Sequence, residues 1–189
     1  EPLDMADTGF VIPESNMNRL ARLYQPKGSQ PGNFLYTAAT SALEPAPKEY
    51  DVAYLGGSKF ESGGGGLLST ARDYLRFCQM MLNGGQLDGV RILSPKTVKL
   101  MTVNHLGDIS KSFRQKGIGF GLGFGLVIDP SRAGEIGSAG EYNWGGLGGT
   151  RFWIDPEEEL IGIFMVQSVP HLTRLGGDFK VLAYQALVE

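Results

Sequence analysis

A chain of 189 residues is the size of one domain or a large part of one. Apolar residues make up 42% and charged residues 20%, enough for a packed core and outside the composition of disordered chains. A net charge of -3 without a basic run argues against nucleic-acid binding, no apolar stretch reaches bilayer-spanning length, and a single cysteine excludes an internal disulfide.

Residues 1–13 read as turns and extended chain, punctuated by Pro2, Gly9 and Pro13. Met17, Leu20, Ala21 and Tyr24 recur at helical spacing and predict a short helix over 14–24. Residues 25–66 lack periodicity and are rich in Pro, Gly and Ser, as functional loops are. Tyr24, Tyr36, Tyr50 and Tyr54 fall in or beside this stretch and read as packed or surface aromatics. The chain has 28 glycines, about twice the average share, clustered rather than periodic. Four of them, 63–66, directly precede a helix start, which suggests close packing of that start against a neighbour.

Thr70 and Asp73 form a capping-box pair, and Leu75, Cys78, Met81 and Leu82 make one apolar face, with Cys78 as a buried small hydrophobe. Asn83-Gly84-Gly85 stops this helix. After a loop at Asp88-Gly89, Ser94-Pro95 opens a second helix that carries Val98, Leu100 and Met101 and frays near Asn104. From residue 118 the period changes to two. Glycine alternates with large apolar residues through 128, as in a strand with one face close against something, and Asp129-Pro130 ends it. Residues 138–146, 148–155 and 159–167 read as three more strands. The turns between them are Gly145-Gly146-Leu147-Gly148-Gly149 and Asp155-Pro156-Glu157-Glu158, and such short links favour antiparallel neighbours. Val181, Leu182, Ala186 and Leu187 predict a closing amphipathic helix over 178–189. The fold class is therefore α+β, with 1–117 mainly helix and loop and 118–189 antiparallel strands plus the closing helix.

The two histidines, His105 and His171, are too far apart in sequence, and too short of Cys or Asp neighbours, to indicate a metal site. His105 falls at a helix C-terminus, a favourable place on dipole grounds alone. The chain opens Glu1-Pro2-Leu3-Asp4 with no initiator Met or signal peptide. It reads as cut from a longer protein, so its compartment is left unassigned.

The run Ser62-Gly-Gly-Gly-Gly-Leu-Leu-Ser-Thr-Ala-Arg-Asp-Tyr-Leu-Arg-Phe77 resembles a signature of the class C β-lactamase-like serine hydrolases. So do Leu87-Asp-Gly-Val-Arg-Ile-Leu-Ser-Pro-Lys-Thr-Val98 and the opening Pro2-Leu3 through Thr8-Gly9-Phe10. A further landmark is Asn143-Trp144-Gly145-Gly146-Leu147-Gly148-Gly149 with Phe152-Trp153-Ile154-Asp155-Pro156. The order and spacing of these pieces cover nearly the whole chain. The resemblance implies the C-terminal part of a β-lactamase/transpeptidase-like domain whose N-terminal part is missing.

Such enzymes act through Ser-x-x-Lys, Tyr-x-Asn and a Lys-Thr-Gly-like triplet on the strand lining the cleft. The Lys and Tyr take up the proton of the serine hydroxyl, and two backbone N–H groups hold the oxyanion. Neither of the first two motifs occurs here; Ser58, Ser69, Ser94 and Ser110 all lack the lysine. Gly-x-Ser-x-Gly is also absent. The triplet is present as Trp144-Gly145-Gly146. By position, Leu147 gives its backbone N–H to the oxyanion hole, and Gly145 and Gly146 let a substrate carbonyl approach the strand.

Trp144, where the family has a lysine, offers an apolar wall and one N–H in place of a charge for a substrate carboxylate. This tilts the expected substrate toward small neutral esters. The alternatives are a β-lactam or D-alanyl peptide substrate, or an inactive ligand-binding relative. The chain alone is expected to be inactive and to need no metal or organic cofactor. Its expected partners are a small ester or β-lactam-like substrate and the missing N-terminal part. An exposed sheet edge also invites pairing with a second copy.

Overall fold

The computed structural model describes residues 2–28, 42–47, 61–107, 116–169, 171 and 173–188. Tyr36, Tyr50, Tyr54, Ser58 and Ser110 lie outside the described residues.

The centre of the fold is a five-stranded antiparallel sheet. Its strands are β5 (Ile118–Phe120), β6 (Gly125–Val127), β7 (Tyr142–Gly145), β8 (Arg151–Asp155) and β9 (Leu160–Phe164), in spatial order β5-β6-β7-β8-β9. Before them come β1 (Tyr24–Pro26) paired with β2 (Leu43–Pro45), then helix α1 (Ala71–Leu82). The hairpin β3 (Gln86–Leu87) and β4 (Val90–Arg91) and helix α2 (Pro95–Met101) follow. A four-residue helix α3 (Pro130–Ala133) interrupts the sheet, and α4 (Leu175–Gln185) closes the chain. Among the described residues β9 pairs only with β8, so its outer edge is unpaired.

The start signals of both long N-terminal helices are in place. The Thr70 side chain accepts the Asp73 N–H, and the Ser94 side chain accepts the Thr97 N–H with Pro95 at the first helical position. The Asp73 carboxylate does not return the capping bond. It accepts instead from the Asp7 N–H at 2.8 Å and the Thr8 hydroxyl at 2.9 Å, which ties the N-terminal segment to α1. The hairpin turn holds Asp88 at φ 48° and Gly89 at φ 80°, the left-handed pair that a two-residue type I′ loop needs.

Several sequence expectations are corrected. The helix over 14–24 is a single stretch of 3₁₀ helix, Glu14–Arg19, with no buried residue, and Tyr24 has passed into β1. On α1 the inward residues are Cys78, Met80 and Met81, whereas Leu75 is exposed. The glycines at 63, 64 and 65 have open space where a side chain would stand; only Gly66 is crowded, by Ser62 and Phe10. The strand over 118–128 is two strands, because Gly123 at φ 94° turns the chain back and pairs Phe120 with Gly125. The closeness expected there does hold. A side chain at Gly119 would meet Asn104 and Ile128, and one at Gly121 would collide with the Met101 carbonyl. The closing helix begins at Leu175, and Val181, Leu182, Ala186 and Leu187 are exposed while Lys180 is buried.

One continuous apolar core lies between α1, α2 and the sheet. It holds Leu3, Cys78, Met80, Met81, Val98, Phe124, Leu126, Tyr142, Phe152 and Ile154. Phe124, Tyr142, Phe152 and Tyr74 meet edge to face, with ring centroids 5.0 to 6.1 Å apart. Burial pushes the Cys78 thiol up to about 12, so it is a packed, unreactive group. No helix among the described residues is long and apolar enough to cross a membrane.

Candidate active site

Strand β7 and the turn after it carry the Trp144-Gly145-Gly146-Leu147 segment. The strand is held by β8 through Tyr142↔Ile154, Asn143↔Trp153, Trp144↔Phe152 and Gly145↔Arg151. The ladder then tightens into a turn: the Gly146 N–H donates to the Thr150 carbonyl at 2.8 Å and the Gly149 N–H to the Gly146 carbonyl at 3.0 Å. Gly149 takes φ 93°, a left-handed conformation that disfavours any side chain, and its open side lies against the His171 ring.

Trp144 is 53% exposed, with its ring edge-on to Phe120 at 5.0 Å. Gly146 is glycine for a reason internal to the hairpin, since a side chain there would overlap the Thr150 hydroxyl. Gly145 has looser surroundings, with the Thr150 carbonyl 3.4 Å from where a Cβ would stand. Leu147 is 66% exposed, and its backbone N–H has no acceptor among the described residues. It is therefore a donor free to meet a ligand oxygen.

Gly145, Gly146, Leu147, Gly149, Thr150, Arg151 and His171 line a cavity of about 320 Å³. Four of these, Gly149, Thr150, Arg151 and His171, were not singled out as site residues from the sequence. Arg151 stands opposite Gly145 by hairpin register, so its presence was legible from the turn length. Its side chain passes Gly176, where a Cβ would come within 2.8 Å of Arg151 Cδ. His171 carries no local signal; it is brought in from beyond β9. Its Nε2 is 3.2 Å from the Thr173 hydroxyl, and its Nδ1 is buried without a partner. Burial, and secondarily the Arg151 charge, hold its pKa below the ordinary histidine value.

His105 lies elsewhere, its Nε2 2.7 Å from the Leu100 carbonyl at the end of α2. The described residues contain no group of three or more His, Cys, Asp or Glu side chains able to hold a metal. Leu147, Arg151 and His171 thus stand together around one cavity. It holds no serine.

The family model described as Beta-lactamase matches residues 1–186. The protein Rv1367c of Mycobacterium tuberculosis is 34% identical over 184 residues, covering 91% of this chain and 42% of that protein. Among solved structures, EstCE1, "a hydrolase with promiscuous acyltransferase activity", superposes with a TM-score of 0.76 at 21% identity, covering 97% of this chain and 48% of that one. Simvastatin synthase (LovD) from Aspergillus terreus superposes with a TM-score of 0.75 at 21% identity, covering 100% of this chain and 48% of that one. The chain thus spans about half the length of the proteins it matches.

Proposed function

The chain belongs to the Beta-lactamase family, and on that premise we propose that it is the substrate-strand portion of a serine hydrolase acting on small carboxylic esters. Trp144 carries the reading. It occupies the position where the family's cleft strand has a lysine, and it replaces a charge for a substrate carboxylate with an exposed indole packed on Phe120. EstCE1, a hydrolase with acyltransferase activity, adds support from the side of fold.

In this reading the nucleophilic serine and its lysine and tyrosine partners come from sequence outside these 189 residues. The serine oxygen attacks the ester carbonyl carbon as its proton passes to the Lys/Tyr pair. The carbonyl oxygen, now carrying the charge, accepts from the Leu147 N–H and from the N–H of the nucleophile. The alkoxide leaves with the proton, and water attacks the acyl-enzyme to release the acid and restore the serine. Gly145 and Gly146 keep the strand narrow beside the reacting carbonyl.

The test is a fluorophosphonate reaction followed by intact denaturing mass. The 189-residue chain is expected to stay unmodified, while a polypeptide that includes the preceding sequence takes one label and hydrolyses p-nitrophenyl acetate faster than a chromogenic cephalosporin. A label on the 189-residue chain would place the nucleophile among these residues and overturn the assignment. Faster cephalosporin turnover would overturn the ester preference.

A further inference from the structure

On the α4 side of the sheet lies a cluster of ionisable groups that the proposed chemistry does not use. Glu141 and Asp155 are both fully buried, and Lys180 is 8% exposed. Lys180 Nζ donates to Glu141 Oε1 at 2.8 Å and to Glu135 Oε2 at 3.3 Å. Asn143 Nδ2 donates to the same Glu141 Oε1 at 3.1 Å. The Tyr184 hydroxyl is 2.7 Å from Asp155 Oδ2 and 3.0 Å from Glu141 Oε2.

A phenol has one proton to give, and here it stands between two carboxyl oxygens. Asp155 is the better acceptor of that proton. It is the nearer, and its charge is already met by the backbone N–H groups of Ser138 at 3.0 Å, Glu157 at 3.1 Å and Glu158 at 3.3 Å. The remaining contact, 3.0 Å between Tyr184 Oη and Glu141 Oε2, becomes a hydrogen bond only if the proton lies on Glu141. The charges agree. One ammonium is shared between two carboxyl groups, those of Glu141 at 2.8 Å and Glu135 at 3.3 Å. An ionised Glu141, fully buried, would hold only a share of that ammonium against the cost of leaving water.

We propose that Glu141 is a positioning residue held in its protonated form, giving that proton to Tyr184 and so clamping α4 to the strand that carries Trp144, Gly145 and Gly146. Glu141 stands three residues before Trp144. Its Oε1 holds the Asn143 side chain, and its carbonyl accepts the Val127 N–H at 2.8 Å, so the start of β7 is fixed from both sides. Gly137, at φ 128°, closes the cluster: a Cβ there would stand 3.0 Å from the Tyr184 hydroxyl and against Glu141 Oε2. Burial raises the Glu141 pKa against the opposing pull of Lys180, Tyr184 and Asn143. Burial and both carboxyl neighbours raise that of Tyr184, keeping the phenol protonated.

A carboxyl whose folded pKa is raised binds its proton more tightly when folded. Its contribution to stability is complete below the unfolded value and is lost as pH rises through the folded value.

The decisive comparison is Glu141→Gln in the 189-residue chain. The glutamine amide donates to Tyr184 and its carbonyl accepts from Lys180, so it copies the protonated form. Infrared spectroscopy at neutral pH is expected to show a protonated-carboxyl band that E141Q lacks. E141Q should keep its denaturation midpoint at neutral pH and lose the alkaline decline in stability. In a Trp153→Phe background, where Trp144 is the sole tryptophan, emission should shift on raising the pH with Glu141 present and stay flat with E141Q. The proposal is overturned by absence of the band in the unsubstituted chain, or by an E141Q chain that unfolds at neutral pH, either of which means an ionised Glu141 paired with Lys180. A flat Trp144 emission with Glu141 present would overturn the coupling to β7. None of these readouts depends on hydrolytic activity, so they stand or fall apart from the ester-hydrolase reading.

Discussion

Against α1 the sheet presents Tyr142, Phe152, Ile154 and the partly buried Ile161 and Ile163; against α4 it presents Glu141, Asn143, Trp153, Asp155 and Gly162. Both sets come from the same short strands, one residue apart, as a period of two requires. The α1 side is hydrocarbon and aromatic, stabilised by area removed from water and tolerant of small rearrangement. The α4 side is a polar cluster beside one indole, and each of its groups depends on a particular partner. The comparison teaches that strand alternation assigns residues to faces but says little about whether a face is oily or hydrogen-bonded.

The largest effect is expected on the oily side. Met81 is 1% exposed in the centre of the core, and Met81→Ala should cost about 2–5 kcal/mol through lost transfer energy and the cavity left behind. Urea denaturation of the chain measures it. A cost below about 1 kcal/mol would mean that the α1 side is loosely packed, and the contrast between the faces would weaken.

Next comes Gly162→Ala. The Trp153 indole lies flat over Gly162 and stands edge-on to Phe179 of α4 at 5.7 Å. Even one methyl group would collide with the ring and force it outward, at about 1–3 kcal/mol. Trp153 fluorescence and thermal denaturation would report the displacement and its cost together. No change in either would show that the indole has room to move, and that this side is less exacting than its geometry implies.

The parts of the fold legible in the sequence were those set by neighbours along the chain. Thr70 and Ser94 announced their helices through side-chain bonds three residues ahead, and Asp88-Gly89 and Asp155-Pro156 turned as their backbone preferences dictate. The parts that were not legible depend on distant residues. The 118–128 repeat looks like one strand because Gly123, which breaks it at φ 94°, has the same composition as its paired glycine neighbours. The glycines at 63–65 meet nothing, whereas Gly146 and Gly149 stand against Thr150 and His171; the two runs read alike and differ only in what folds against them. Within the site, the Trp144 segment was readable as a motif and Arg151 follows from hairpin register, but His171 arrives from beyond β9 without a signal.

Helix α4 is where pattern and partner diverge most, and it supports the smallest prediction. Val181 and Leu182 look like an inward stripe, yet the helix turns Lys180 and Tyr184 inward, where Lys180 Nζ donates to Glu141 at 2.8 Å and the Tyr184 hydroxyl stands 2.7 Å from Asp155. Leu182 is left 63% exposed. Leu182→Gln should therefore change the stability of this chain by no more than about 0.5 kcal/mol, as substitutions at exposed positions do. The same substitution in a polypeptide that includes the preceding sequence makes the test sharper. An equally small change there would mean that the outer face of α4 stays in water. A cost above about 1 kcal/mol would mean that the added residues cover it, and the apolar stripe would then face a partner outside these residues.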